Sequence, residues 1–225
     1  MKPTKITNRN IMFSQPMGET YSLNMGLIMG VCNNFLIDTG IGCGSVAPVL
    51  KYLKDKDNSK PVIVINTHSC WDHVWGNWVF GNCLIISHKQ CREDLKEHWD
   101  NVVRELSHRI DGEVHKCLPN MTFESSMYFP EDGISLFHTP GHTPGDISVY
   151  DAIDKVLYAG DNIGDTQDEI VPWIGTDMET MRSTIDIFKK IDFEICISGH
   201  NKPQGYDVLA RMEAALPEAW EKQNA

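Results

Sequence analysis

Four short apolar runs, each ending in a residue type that binds metals, constrain the fold of this chain more than any other feature. "PVIVIN" (61 to 66) runs into "THSCWDH", "ISLFHTPG" into His142, "KVLYAG" into Asp161 and "EICISG" into His200. A β-branched run without polar alternation, as in "PVIVIN", reads as a strand buried on both faces, which needs cover above and below. A polar residue just after a strand sits at the rim of a sheet, where several loops can gather around one pocket on a rigid base. A layered α/β fold with one chemically loaded rim follows.

The rest of the chain supplies the covering elements. "MGLIMGVCNNFLIDTG" predicts two short strands leading to a turn at Asp38-Thr39-Gly40, with Gly and Asn marking the hairpin. "SVAPVLKYLKDK" has helical spacing, with Val46, Val49, Leu50 and Leu53 on one face, Ser45 as N-cap and Pro48 in the first turn. A strand is expected at 83 to 87, then an amphipathic helix in "CREDLKEHWDNVVRELSHRI" with Leu95, Trp99, Val102, Val103 and Leu106 as its apolar stripe. "MTFESSMYF", "ISLFHT", "DISVYDA" and "KVLYAGD" form a β-rich stretch. "METMRSTIDIFKKI" and "YDVLARMEAALPEAW" are expected helices on either side of the strand "EICISGH". Strands and helices alternate in two halves, without a solenoid repeat.

A chain of 225 residues can fill one sizeable core, and we expect a single domain over residues 1–225. A net charge of -11 argues against nucleic-acid or anionic-membrane partners, so a small-molecule substrate is the expected partner. The oligomeric state stays open, a homodimer included. The first twenty residues contain no apolar h-region and no stretch approaches the roughly 18 apolar residues of a membrane span, so a cytoplasmic location is expected. Seven cysteines form neither a CxxC pair nor a regular framework, and free thiols, most of them small buried hydrophobes, are expected. Cys70 alone lies among other ligand types.

The first cluster has a sensible spacing for an ion. Residues two apart in an extended segment point the same way, so His68 and Cys70 can face one ion. A turn into a helix near Asp72 would redirect Asp72 and His73 towards a second ion or a water. Imidazole and carboxylate ligands suit zinc, and also iron or manganese, and a metal-bound water of lowered pKa is the nucleophile such a site produces.

The ordered pieces "THSCWDHVWGN", "HTPGHTPGD", "YAGDNIGD" and "SGHNKP", with the "LIDTG" turn containing Asp38, resemble the metallo-β-lactamase superfamily and its HxHxDH signature along nearly the whole chain. The resemblance implies a four-layer αββα sandwich. It also implies a first metal held by His68, position 70 and His142, a second by Asp72, His73 and His200, and Asp161 bridging both. Cys70 replaces the signature's middle histidine. A thiolate ligates zinc, but its sulfur lies closer to its own backbone than a histidine's distal nitrogen. One or two zinc ions are therefore expected, with the second site retained and the first compromised or shifted.

Other residues have plainer readings. His88, His98, His108 and His115 are expected on surface helices or loops. His138 either hydrogen-bonds beneath the pocket or is structural, and Asp146 is structural. Trp75 and Trp78 are expected in the core, and Trp71 against a substrate. The Pro-Gly pairs of "HTPGHTPGD" are expected to fix the loop that points His142 inward.

The implied activity is a metal-dependent hydrolase of an ester, lactone, thioester or related bond, with Asp72 or Asp161 orienting or deprotonating the water. The alternatives are a non-haem iron redox protein, like the oxygen- or nitric-oxide-reducing or the persulfide dioxygenase branches, and a catalytically weak metal-binding scaffold. The former redox branch usually carries an acidic residue in the motif and a fused flavin-binding domain, and neither is seen here.

Overall fold

A computed structural model of the chain describes residues 2–18, 21–164, 166 and 169–225, and in it the apolar runs become the strands of two sheets. Among the described residues, the first sheet holds β1 (Lys2–Lys5), β2 (Asn10–Met17), β3 (Tyr21–Met29), β4 (Asn34–Ile37), β5 (Val62–Ile65), β6 (Leu84–His88) and β7 (Met121–Phe123), side by side in chain order. The second holds β8 (Ser126–Phe129), β9 (Ile134–His138), β10 (Ile147–Asp151), β11 (Val156–Gly160) and β12 (Ile195–Ser198), also adjacent in chain order. Strands β1 to β4 pair antiparallel, as hairpins allow, whereas β4 to β7 pair parallel. Parallel neighbours need crossovers. α1 (Cys43–Asp55) connects β4 to β5, the short α2 (Trp71–Val74) follows β5, α3 (Lys89–Glu105) precedes β7, and α4 (Met178–Phe188) links the parallel pair β11 and β12. α5 (Val208–Gln223) follows β12.

Side-chain alternation builds four layers from these elements. Ile63 and Ile65 of β5 face the second sheet, packing in one cluster with Ile147, Val149 and Tyr158, while Val64 between them packs outward with Val46 and Val49 of α1. Phe35 and Ile37 face inward and Leu36 outward in the same way. On the far side, Leu157 and Cys196 pack with Met181, Ile185 and Phe188 of α4 and Met212 of α5. The result is the αββα sandwich expected.

Several local expectations need correction. Helix α1 starts at Cys43, with Gly42 as its N-cap at φ 141°, a backbone angle that favours glycine. Ser45 lies inside the first turn, where its Oγ accepts from the Ile41 amide at 3.2 Å. Leu50 is 41% exposed, because Val46, Val49 and Leu53 already fill the buried stripe. "MTFESSMYF" is two strands in different sheets, β7 edging one and β8 the other. Strands β1 and β2 were not foreseen, since Pro16 and polar residues interrupt their pattern. All seven cysteines are free, but only Cys91 and Cys196 are buried, and Cys32 is exposed. Among the described residues, no helix is long and apolar enough to cross a membrane.

Candidate metal centre

The seven ligand-type residues meet at one rim of the sandwich. β5 carries the chain to Thr67 and His68, and α2 begins three residues later. Cys70 occupies the N-cap position of α2 in an extended conformation and makes no side-chain cap bond. Its Sγ lies 3.6 Å from His142 Nε2. The helical turn does not separate His73 from His68: their ring centroids lie 4.1 Å apart and both offer donor atoms in one group with Asp161, while Asp72 groups with His73 and His200. Asp161 follows β11, with its Oδ2 at 3.5 Å from His68 Nε2, 3.4 Å from His73 Nε2 and 3.1 Å from His200 Nε2. His200 follows β12 and places its Nε2 3.4 Å from Asp72 Oδ2. Gly199 makes this approach feasible, since a Cβ there would overlap Asp161 Oδ1 and crowd His73.

Each imidazole is oriented through its other nitrogen. His73 Nδ1 meets Asp38 Oδ2 at 2.8 Å, His142 Nδ1 meets the Trp173 carbonyl at 2.9 Å, and His200 Nδ1 meets the Ser22 carbonyl at 3.0 Å. Carbonyl and carboxylate oxygens only accept, so these three Nδ1 atoms carry protons. His68 Nδ1 lies 3.0 Å from Thr67 Oγ1, and that hydroxyl already donates to Asp38 Oδ2 at 2.8 Å. It must then accept from His68, which puts the His68 proton on Nδ1 as well. All four Nε2 atoms therefore turn inward, the arrangement by which outer hydrogen bonds prepare metal-ligating histidines. Burial lowers His73 and His200, but the Asp161 carboxylate outweighs it and pushes both up, His200 to about 9, so that without a cation these two rings carry a second proton.

Asp38 anchors this orientation from below. Its backbone is left-handed at φ 61°, and it accepts from both the amide and the hydroxyl of Thr67 as well as from His73. Beneath it, Thr39 Oγ1 donates to Asn77 Oδ1, and the Asn66 and Asn77 amides bond reciprocally at 3.0 and 2.8 Å. Asn162 accepts from the His142 amide at 3.1 Å and donates to the Thr139 carbonyl at 2.7 Å, which fixes the "HTPGHTPGD" loop to the residue after Asp161. Sequence reasoning missed Thr67, Asn162 and the Trp173 carbonyl; only the position of Asn162 beside Asp161 hinted at a role.

The donor set fits a divalent cation. His68 Nε2 and Asp161 Oδ1 are buried and, among the described residues, have no hydrogen-bond partner. Buried polar atoms are normally satisfied, so two in one cluster point to a ligand. The donor atoms also group within 4.8 Å of one another as His68, Cys70 and His142; as His68, His73 and Asp161; and as Asp72, His73 and His200. The electrostatics agree. Burial would raise the Asp161 carboxyl, but the charges of His73 and then His200 outweigh it and hold the group well below its usual range. Burial lowers His68 strongly, with His73 adding to the effect, so its ring is neutral. Burial, then Asp72 and Asp161, push the Cys70 thiol up, so without a cation it keeps its proton. A bound ion inverts that balance.

The surrounding residues divide as follows. His88 is buried, contrary to expectation: it caps α3 by accepting from the Gln90 amide and stacks on His138 with ring centroids 3.9 Å apart. His98, His108 and His115 are exposed, as read. His138 Nε2 donates to the Pro144 carbonyl at 2.9 Å and so braces the His142 loop. Asp146 closes the same loop by accepting from the Thr143 amide at 2.7 Å, with burial pushing its carboxyl up to about 7. Trp75 is buried, whereas Trp78 is only half-buried and donates to the Glu113 carbonyl. Trp71 packs edge-on against Trp75 at 5.2 Å and faces a cavity beside Cys70.

Residues 24–200 match the model of the metallo-beta-lactamase superfamily. The chain belongs to that superfamily. It is 27% identical over 155 residues to an N-acyl homoserine lactonase from a Bacillus species, a match covering 63% of this chain and 56% of that protein. It is 24% identical over 220 residues to an acyl-coenzyme A thioesterase of Bos taurus, covering 84% and 76%. The match thus spans little more than half of the lactonase. The metallo-beta-lactamase from Pontibacter korlensis superposes with a TM-score of 0.75 at 18% identity, over 96% of this chain and 98% of the other, which shows the shared fold. This superfamily member keeps the signature with cysteine at its second position.

Proposed function

We propose that the protein is a metal-dependent hydrolase that adds water to the carbonyl carbon of a small ester, lactone or thioester. The observation that carries the reading is the common orientation of four imidazoles, each Nδ1 engaged and each Nε2 turned towards the Asp161 carboxylate or the Cys70 thiol. His68, Cys70 and His142 would hold one ion, Asp72, His73 and His200 a second, and Asp161 is within reach of both groups. Zinc suits this donor set, with iron or manganese as alternatives. With a thiol in place of imidazole at position 70, the second group is the retained site and the first is weaker or shifted. When bound, the ion supplies a water acidic enough to attack near neutral pH and a charge that stabilises the oxyanion.

The chain's own part is to orient the water and move its proton. Asp72 suits this role: α2 holds it at the rim, and its side chain is more open than that of Asp161, at 11% against 7% exposure. The water oxygen bonds to the carbonyl carbon and one of its protons passes to Asp72 Oδ2. The acyl C–O or C–S bond then breaks and its electron pair takes that proton, which frees an alcohol or thiol from an ester or thioester and opens a lactone to a hydroxy acid. The names of the relatives, a lactonase and a thioesterase, support acyl over phosphoryl chemistry. The fold alone does not choose the substrate.

A panel of esters, lactones, thioesters and phosphodiesters tests the reading. Metal-loaded protein should turn over at least one carbonyl class, and Asp72→Ala should lower that rate by about 10²–10⁴-fold. Inactivity on all four classes would overturn the proposal.

A further inference from the structure

Beside the metal centre lies a cavity of about 320 Å³, lined by Cys70, Trp71, Trp75, Leu95, Trp99 and Leu106 among others. Cys70 belongs to both places, since its thiol is 3.6 Å from His142 Nε2 and the residue also forms part of the cavity wall. The far wall is one side of α3 and the residue that caps its C-terminus: Leu95 and Trp99 are buried, but Val102 and the capping Leu106, though packed against the same cluster, stay half-buried. A helix face of this kind normally seals against core. Here it leaves an open apolar slot against two indoles.

Three features define the occupant. The volume is at the small end for ligand pockets, which suits a single chain or ring and not a cofactor-sized group. The wall is dominated by aliphatic and indole surface, so the contribution is apolar burial. The polar groups at the cavity are Ser69, Asp94 and His98, and the Asp94 carboxylate opposes an anionic tail. A wholly apolar chain fits, and the acyl side of an ester or thioester can be one.

We infer that this cavity receives a straight-chain acyl group, so that the substrate is a medium-chain acyl ester or thioester whose carbonyl lies at the Cys70 end. The inference rests on the hydrolase reading and narrows it to a substrate class. Trp71 and Leu106 are then specificity residues.

The test holds the leaving group constant and varies the chain, using p-nitrophenyl esters from acetyl to decanoyl with the metal-containing protein. Each added methylene should raise kcat/KM by about threefold to fourfold until the cavity is full. Leu106→Trp, which adds bulk to the wall, should lower the ratio of long-chain to short-chain kcat/KM. Binding of octan-1-ol and butan-1-ol to the wild-type protein, followed by tryptophan emission, reads the cavity without turnover. Saturable binding, tighter for octanol and with a blue shift, is expected. Ester hydrolysis indifferent to chain length would overturn the inference and leave the hydrolase reading standing. A graded alcohol series with no ester hydrolysed would support the chain site and count against the hydrolase reading. A dimer by sedimentation in which neither alcohol binds would show a second copy covering the cavity, and would also overturn it.

Discussion

Asp38 shows how much of the centre depends on residues that would touch no ion. Its two oxygens accept three bonds, from the Thr67 amide, the Thr67 hydroxyl and His73 Nδ1. Asn at this position tolerates the left-handed backbone but turns an amide N–H₂ towards groups that need an acceptor. Asp38→Asn should therefore weaken zinc binding by about 10–100-fold, measured by competition with a chelating dye, while the far-ultraviolet dichroism stays native. Gly199→Ala acts more directly, because the new Cβ would displace Asp161 and His73. It should abolish tight metal binding in a chain that still folds; retention of the metal would show that the close approach is not needed. The ligand-type residues themselves were legible, since His and Asp at strand ends are chemically conspicuous. Their supports were not, because Thr67 and Asn162 are common residue types, and the Trp173 and Ser22 contributions are backbone carbonyls that any residue could supply. The burial of His88 was hidden for a similar reason: its stacking partner, His138, comes from a distant strand.

At the level of elements, continuous apolar runs were the most readable signal. β5 and β11 are interior to their sheets and covered on both faces, and β12, although an edge strand, is buried on both faces too, with Cys196 in one apolar cluster and Ile197 in another; their sequences show it. The other edge elements were harder. β1, β7 and β8 lie at sheet edges, with less burial to enforce a pattern, and nothing in "MTFESSMYF" reports that the chain crosses between sheets at Glu124 and Ser125. What joins the sheets at another corner is Asp132, in the turn between β8 and β9, which accepts from the Cys32 amide and the Asn33 side chain of the β3–β4 loop. Burial raises its carboxyl, but the bond from the Asn33 side chain and those from the backbone amides of the loop outweigh this and lower it. A carboxyl with a depressed folded pKa contributes stability above its unfolded value, near pH 4, that is lost as pH falls through the folded value. Asp132→Asn should flatten this acid limb of urea stability measured against pH; an unchanged slope would contradict the role.

Across the whole molecule, two sheets bring strand ends that are far apart in sequence to one rim. The alternation of strands and helices made the layered class legible, and the ordered ligand residues pointed to the particular sandwich. The cavity beside Cys70 was not legible beyond Trp71, because it arises from what α3 and α2 leave unfilled and not from any one motif. The same convergence makes the metal question a property of the assembled fold, with Asp161 and His200 joining a cluster that began as "THSCWDH". The direct measurement is the metal content of protein purified without added metal, compared between wild type and Cys70→His. About one tightly held zinc per wild-type chain is expected, at Asp72, His73, His200 and Asp161, rising to about two when the imidazole is restored. Wild-type protein that retains no metal would contradict a metal centre at this rim, two zinc ions would contradict the weakened first site, and iron would favour redox chemistry over hydrolysis.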